Sequence, residues 1–415
     1  MQTDLPFADA LAIVRAAASP LAPETIPIRR GLGRTLAREV RAADASPPFD
    51  ASAMDGYAVR VAGLSELPAR LPVVETVAAG REARLFVLPG TCVQIFTGAP
   101  VPDGADAVVP REWTQRTDDG AVLVRRAPEA GQYIRRAGSA LAEGEVLLSA
   151  GAVLTPPAVG ALAAAGRSEV PVRRTPHVAL IVTGDELVEP GASLRPGQIR
   201  DINGPGLGAQ VVAAGGALRH RLHAADVEHD LIEALDIASD SDLIVVVGGV
   251  SVGERDLVKP TFAERGVEWD FWKVRQRPGR PLTFGTLAVG TRRVPVLGLP
   301  GNPVSAAVGF ELYGRALLDR MLGREPADAF ETGTLTEAVP KAGGLDTFIR
   351  VRASRSADGA LLLTPTGPQG SHVYRSVVDG SGLAHLPAAW DAADEGAEAE
   401  YRPFPWSDAA PVGRA

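Results

Sequence analysis

The chain has 415 residues, 46% of them hydrophobic and 22% charged, with a net charge of −8. That length supports about two to four domains with their own cores, and the negative balance argues against a general nucleic-acid or anionic-membrane surface. The lone Cys92 excludes an internal disulfide framework and a cysteine-ligated zinc site, and no run of 18 apolar residues is present to span a membrane.

Asp4 and Asp9 stand where a secretory leader would carry basic residues, so the expected location is cytoplasmic. Apolar residues at helical spacing over 7–18 predict an amphipathic helix ended by Pro20 and Pro23. Leu32, Leu36 and Val40 recur at four-residue steps, which predicts a second short helix within 26–41. Ser46-Pro47-Pro48-Phe49 marks a boundary. From 51 to 136 short apolar runs alternate with Gly and Pro, and Asp119-Gly120 is a hairpin signal, so this is a small β domain. Cys92, in Thr91-Cys92-Val93-Gln94-Ile95, reads as a small core residue there. An Ala-rich helix is expected within 138–172, with Pro156-Pro157 at its start and Gly166 near its end.

From Pro176 the pattern alternates. Strands are predicted at 178–182, 217–222, 243–247, 269–274, 282–285 and 294–299, with helices at 207–214, 231–238, 257–264 and 304–322. Such alternation predicts a doubly wound α/β sheet. Short strands return over 331–404, a second small β domain, and the tail from Ser407 is expected to fray. The domain plan is therefore a helical arm at 1–48 completed by 138–175, an inserted β domain at 49–137, an α/β domain at 176–327 and a C-terminal β domain at 328–405.

Chemistry is expected at the strand ends of the α/β domain. Leu243-Ile244-Val245-Val246-Val247 runs into Gly248-Gly249-Val250-Ser251-Val252-Gly253-Glu254-Arg255-Asp256, a strand, glycine loop and helix start. Such a loop offers backbone N–H groups to phosphate, although a plain turn with Ser251 as cap would look the same. Gly298-Leu299-Pro300-Gly301-Asn302-Pro303-Val304-Ser305 repeats the arrangement, with Asn302 as cap and Pro303 in the first helical turn. Thr183-Gly184-Asp185-Glu186 is a third. Three loops at the carboxyl edge of one sheet favour a ligand site over coincidence. Asp185, Glu186, Asp226 and Asp256 share that rim. Each alone reads as a cap, but together they suit Mg²⁺ and a phosphate. Lys273 and Arg280, around the Pro278-Gly279 turn, could hold an oxyanion or sit in solvent. Asp55-Gly56 and Thr97-Gly98 read physically as turns, and neither a His metal spacing nor a Gly-x-Ser-x-Gly elbow is present.

Taken together, several strings resemble one family, the molybdopterin molybdenumtransferases, or MoeA proteins, which include the C-terminal domain of gephyrin. They are Ser52-Ala53-Met54-Asp55-Gly56-Tyr57-Ala58-Val59, Thr97-Gly98-Ala99-Pro100-Val101-Pro102, Thr183-Gly184-Asp185-Glu186-Leu187, the Gly248 to Gly253 loop with Asp256, and the Gly298 to Ser305 segment. The resemblance implies a homodimer of elongated four-domain subunits and a molybdopterin-binding type of α/β domain. It implies that adenylylated molybdopterin meets molybdate, that AMP leaves, and that Mg²⁺ assists. It places the site between the α/β domain of one subunit and the inserted β domain of the other. On that picture Asp55 and Thr97 cross to a pocket where Glu186, Asp226 and Asp256 hold metal or position water. Thr183, Gly184, Asp185, Gly248, Gly249, Ser251, Gly253, Pro300, Gly301, Asn302, Pro303 and Ser305 surround the ligand, and Lys273 and Arg280 hold its anionic groups. A molybdopterin adenylyltransferase and other cofactor-pathway or molybdenum enzymes are the expected partners.

This chain departs from the family pattern. Ser139-Ala140 follows Gly138 where Glu-Asp is usual, Arg280 replaces a Lys, Ile202 stands in Asp201-Ile202-Asn203 for a common Thr, and Asp379-Gly380-Ser381-Gly382-Leu383 replaces a typical Ala-Asn-Gly-Leu. These changes leave two other readings beside the insertase: a paralogue that binds or delivers the cofactor, and a molybdopterin adenylyltransferase.

Overall fold

The computed structural model describes residues 1–250, 257–324, 330–341 and 343–407. The tail expected to fray lies, after Ser407, outside the described residues. At the centre is a seven-stranded sheet in the order Gln2–Leu5, Val267–Val274, Thr283–Val289, Arg292–Leu299, Leu243–Val247, His177–Thr183, Ala217–Ala224. The run Leu243–Val247 is buried along its whole length between two parallel neighbours, which is why it has no polar alternation. At the edge, Ala217–Ala224 turns Arg219, Arg221 and His223 to solvent, as an unpaired edge requires. The sheet is mixed: Thr283–Val289 runs antiparallel to both of its neighbours.

Helices cover both faces. Phe7–Ala16, Asn203–Ala213 and the path from Pro303 to Met321 bury one apolar layer, with Leu180, Val245 and Leu297 at its centre. Glu228–Ala238 and Val258–Glu264 bury the other, around Ile181, Val246 and Phe262. The predicted helix at 304–322 is present but contains one π turn, Phe310–Gly314.

The N-terminus departs from the expected arm. Gln2–Leu5 pairs in parallel with Val267–Val274, and Leu5, Ala10 and Val14 are buried in the α/β core. The ring of Phe7 meets Tyr313 at 5.9 Å and Phe348 at 4.8 Å, edge-on. These residues therefore belong to the α/β body, because their apolar face finds its cover there.

The second predicted helix does not form. Residues 26–41 instead contribute the end of the strand Pro23–Pro27, a single 3₁₀ turn at Ile28–Arg30 and the strand Val40–Arg41. Pro23–Pro27 pairs with Glu169–Arg173, and Val40–Arg41 with Val146–Leu148. Leu36 and Val40 are buried but Leu32 is 64% exposed, so the four-residue spacing never marked one helical face. Gly31 and Gly33 also interrupt the segment. The helix expected within 138–172 is present as Pro156–Ala164, starting at Pro156-Pro157 as expected and capped by Thr155 Oγ1, which accepts from Ala158 N–H at 3.4 Å. The arm is thus one helix on short paired strands.

In the inserted domain, Gly56–Val59 sits between Cys92–Ile95 and Ala107–Pro110. The Asp119-Gly120 hairpin is present, joining Thr114–Arg116 to Val122–Val124. Cys92 is fully buried, and burial pushes its thiol up to about 12, as befits a core residue. The C-terminal sheet is six-stranded, and Asp346–Arg355 pairs with both Leu361–Pro365 and Gly382–Leu386, curling it into a small barrel. Gln276–Arg277, next to the α/β sheet in sequence, adds an edge strand to that barrel. Among the described residues no helix is long and apolar enough to cross a membrane.

Candidate functional site

Three strand ends converge on one rim. A Cβ on Gly248 would come within 2.6 Å of Thr183 Oγ1. Gly248 also has φ +95°, where glycine escapes the strain other residues incur. Its N–H donates to Leu299 O at 3.0 Å, tying the ends of two neighbouring strands. Gly301 follows closely, since a Cβ there would stand 3.8 Å from Gly248 Cα. The Gly248-Gly249 loop therefore touches both the Thr183 loop and the Pro300-Gly301 loop. Ser251, Gly253 and Asp256 lie outside the described residues.

Asn302 occupies the expected N-cap position ahead of Pro303 with an extended backbone, but its side chain makes no capping bond. The helix start is satisfied otherwise: Ala306 N–H donates to Asn302 O at 2.9 Å and Val304 N–H to Ser371 O at 3.2 Å. Ser305 is buried beneath the 278–281 turn, where a Cβ on Gly279 would lie 3.4 Å from Ser305 O.

The carboxylates are partly assembled. Asp185 Oδ1 accepts from Asp226 N–H at 3.2 Å, and Glu186 folds back toward Gly184, whose Cβ would meet its carboxylate at 2.7 Å. His223 Nε2 lies 2.9 Å from Gly184 O and donates to it. Among the described residues no three acidic, His or Cys side chains form a metal-holding group, so the Glu186, Asp226 and Asp256 set is not assembled from described residues alone.

The basic residues divide. Arg280 pairs with Asp4 at 3.0 Å, so the N-terminal strand, expected in the arm, supplies its partner. Lys273 Nζ lies 4.0 Å from the Trp272 ring centroid, with Lys259 Nζ 3.6 Å from the same centroid. Trp272 Nε1 donates to Val250 O at 3.1 Å, so Lys273 neighbours the 248–250 loop.

Asp55 and Thr97 meet each other in the inserted domain. Asp55 Oδ1 accepts from Thr97 N–H at 2.8 Å and from Thr97 Oγ1 at 2.7 Å. These two bonds, and after them the Arg111 charge, hold the exposed carboxyl below the usual range. Their hydrogen bonds do not reach the rim of the same chain.

Sequence reasoning missed a cavity of about 520 Å³ between the 277–278 segment and the C-terminal barrel, lined by Arg277, Pro278, Glu337, Phe348, Arg350 and Gln369. Arg350 is 1% exposed, and its Nε donates to Ser376 Oγ at 3.0 Å. Burial, then the Arg277 charge, push its guanidinium down to about 10. Among the described residues, two cations and the single carboxylate of Glu337 share this lining, a balance that suits an anionic guest. The signal was available: Arg350 interrupts the apolar strand run Phe348-Ile349-Arg350-Val351.

Family models match nearly the whole chain: the MoeA N-terminal region (domain I and II) at 5–166, a probable molybdopterin binding domain at 179–320, and the MoeA C-terminal region (domain IV) at 332–404. Molybdopterin molybdenumtransferase 2 of Mycobacterium tuberculosis is 39% identical over 378 residues, covering 88% of this chain and 91% of the relative. The Bacillus subtilis molybdopterin molybdenumtransferase is 32% identical, covering 88% and 86%. A solved molybdopterin biosynthesis MoeA protein from Pyrococcus horikoshii superposes with a TM-score of 0.81 at 32% identity, covering 96% of this chain and 98% of its own. With these matches spanning its arm, inserted, α/β and C-terminal regions in order, the chain belongs to the molybdopterin molybdenumtransferase (MoeA) family.

Proposed function

We propose that this protein inserts molybdenum from molybdate into molybdopterin, taking the pterin in adenylylated form and releasing AMP. The observation that carries this reading is the 248–249 loop in contact with both the Thr183 and the Gly301 loops, with Gly301 and Asn302 exposed and their N–H groups making no hydrogen bond among the described residues. Oriented N–H groups there suit the adenylyl phosphate. Molybdate is a compact oxyanion, and the cavity lined by Arg277 and Arg350, with Glu337 opposing them, offers it net positive charge.

Asp185, Glu186 and Asp226 are hard oxygen donors on the same rim; among the described residues they do not form a three-ligand group, but one or two of them together with ligand phosphate oxygens would suit Mg²⁺. When bound, Mg²⁺ would offset charge on the phosphate that departs with AMP. Asp185 orients the Asp226 backbone through its bond to Asp226 N–H, and His223 fixes the Gly184 carbonyl. Asp55 and Thr97 form a compact pair whose hydrogen bonds stay within the inserted domain, which supports a homodimer in which each subunit lends this pair to the other.

The direct test is to incubate purified protein with adenylylated molybdopterin, molybdate and Mg²⁺. AMP release no greater than from heat-inactivated protein would exclude turnover. A second reading, binding or delivery without insertion, is favoured by Ala140, whose N–H is occupied by Ser46 O at 3.0 Å with no acid beside it in sequence, and by Arg280 held on Asp4. On that reading the unmodified protein binds the pterin without releasing AMP, and the double change Ala140→Asp with Arg280→Lys restores release.

A further inference from the structure

We infer that Asn203 is a positioning residue for the reaction: held by Asp201 and Arg221, it locks the Gly301–Asn302 peptide with its N–H directed at the ligand. This rests on the proposed function of the rim.

The chain of contacts begins on the edge strand. Arg221 Nη2 donates to Asp201 Oδ2 at 2.9 Å and also reaches Glu189 at 3.0 Å. The other oxygen, Asp201 Oδ1, accepts from Gly204 N–H at 2.8 Å. Both partners press on Gly204, where a Cβ would collide with Asp201 Oδ2 and lie 2.6 Å from Arg221 Nε. The backbone on either side of Asn203 is thus fixed by a carboxylate that is itself fixed. Asn203 is 9% exposed, and its Nδ2 donates to Gly301 O at 2.8 Å. A carbonyl can only accept, so the amide must face it with its NH₂ end.

The consequence follows from peptide planarity. The Gly301–Asn302 bond is trans, so its C=O and N–H point in opposite directions. With Gly301 O drawn inward to Asn203, the Asn302 N–H is turned outward. Asn302 is exposed, and its N–H makes no hydrogen bond among the described residues. Without the Asn203 bond this peptide could rotate and remove the donor from the rim without disturbing the sheet.

The experiment uses full-length protein with AMP as probe. Asn203→Asp keeps the shape but sets an oxygen against the Gly301 carbonyl, and Asn203→Ala removes the donor. Expected are AMP binding by calorimetry about tenfold weaker, a KM for adenylylated molybdopterin raised by a similar factor with kcat nearly unchanged, and faster amide exchange confined to 299–305. AMP affinity and KM equal to wild type in Asn203→Asp would overturn the inference. So would a loss accompanied by faster exchange throughout the α/β domain, because Asn203 would then be merely structural. Should both variants fail to fold, Arg221→Gln decides: a smaller loss of AMP affinity with local exchange at 299–305 supports the inference, and unchanged affinity overturns it. Wild-type protein that binds no AMP would instead defeat the adenylyl reading, whereas wild-type binding with indifferent variants defeats only the role of Asn203.

Discussion

The α/β rim and the inserted β domain organise chemical groups in opposite ways. At the rim, the useful groups are backbone N–H groups, and their direction is set by loops from distant parts of the chain packed against one another. In the inserted domain, Asp55 and Thr97 are 42 positions apart in sequence, yet two hydrogen bonds between them make a self-sufficient pair at the surface. The rim should therefore be sensitive to steric change and the pair to chemical change. A site built from both combines a rigid cradle with a separately mounted carboxylate.

The largest effect expected is at Gly248. A methyl group there meets Thr183 Oγ1 at 2.6 Å and a backbone at φ +95°. Gly248→Ala should cost about 2–4 kcal/mol in denaturant unfolding and abolish AMP release. Gly98, in contrast, has open space around its Cβ position, so Gly98→Ala should carry only the smaller backbone cost of its positive φ, about 1 kcal/mol. Equal effects at the two positions would erase the contrast.

Asp55→Ala should lower turnover about a hundredfold, the scale of losing a positioned carboxylate, while leaving the unfolding midpoint nearly unchanged. Mixing it with Asp226→Ala should recover part of the activity if each dimer then contains one intact site; no recovery from exchanged mixtures would place both groups in the same subunit's site. The sign of the Asp55 titration is also defined. Its carboxyl is lowered in the folded protein, chiefly by the Thr97 backbone and hydroxyl, so its stabilising contribution is full above about pH 4 and is lost as pH falls through the lowered value.

Arg350→Met tests the cavity. It should weaken molybdate use about tenfold, seen as a raised KM for molybdate with AMP affinity unchanged. Because no ion pair accompanies this buried guanidinium among the described residues, the fold should tolerate the change, and a thermal melt will check that. The smallest effect belongs to Cys92. Its thiol should resist aromatic disulfide reagents until the protein unfolds, and Cys92→Ala should leave activity intact at a cost of about 1 kcal/mol from lost packing. Rapid labelling of the native protein would contradict its place in the core.

The central strands are readable because burial on both faces demands unbroken apolar runs: Leu243–Val247 is predicted to the residue. Gln2–Leu5 is not, because its sequence is short and polar and its strand character comes from pairing with Val267–Val274. The spacing of Leu32, Leu36 and Val40 suggests a helix, yet Leu36 and Val40 are buried by different strand partners and Leu32 is left in solvent. At the site, the glycine loops and Asp55 can be named from their strings, but the partner of Arg280, the open side chain of Asn302 and the Arg350 cavity require the packed chain.

By itself the sequence determined the alternation of strand and helix, the strand-end glycine loops and the membership of a family, since each is written in local patterns of apolar, glycine and motif residues. Only the tertiary structure decided which loops touch, where Gly301 O points and which cation faces a cavity. Those properties depend on backbone direction and on burial by residues far away in the chain, and neither is encoded in any single stretch.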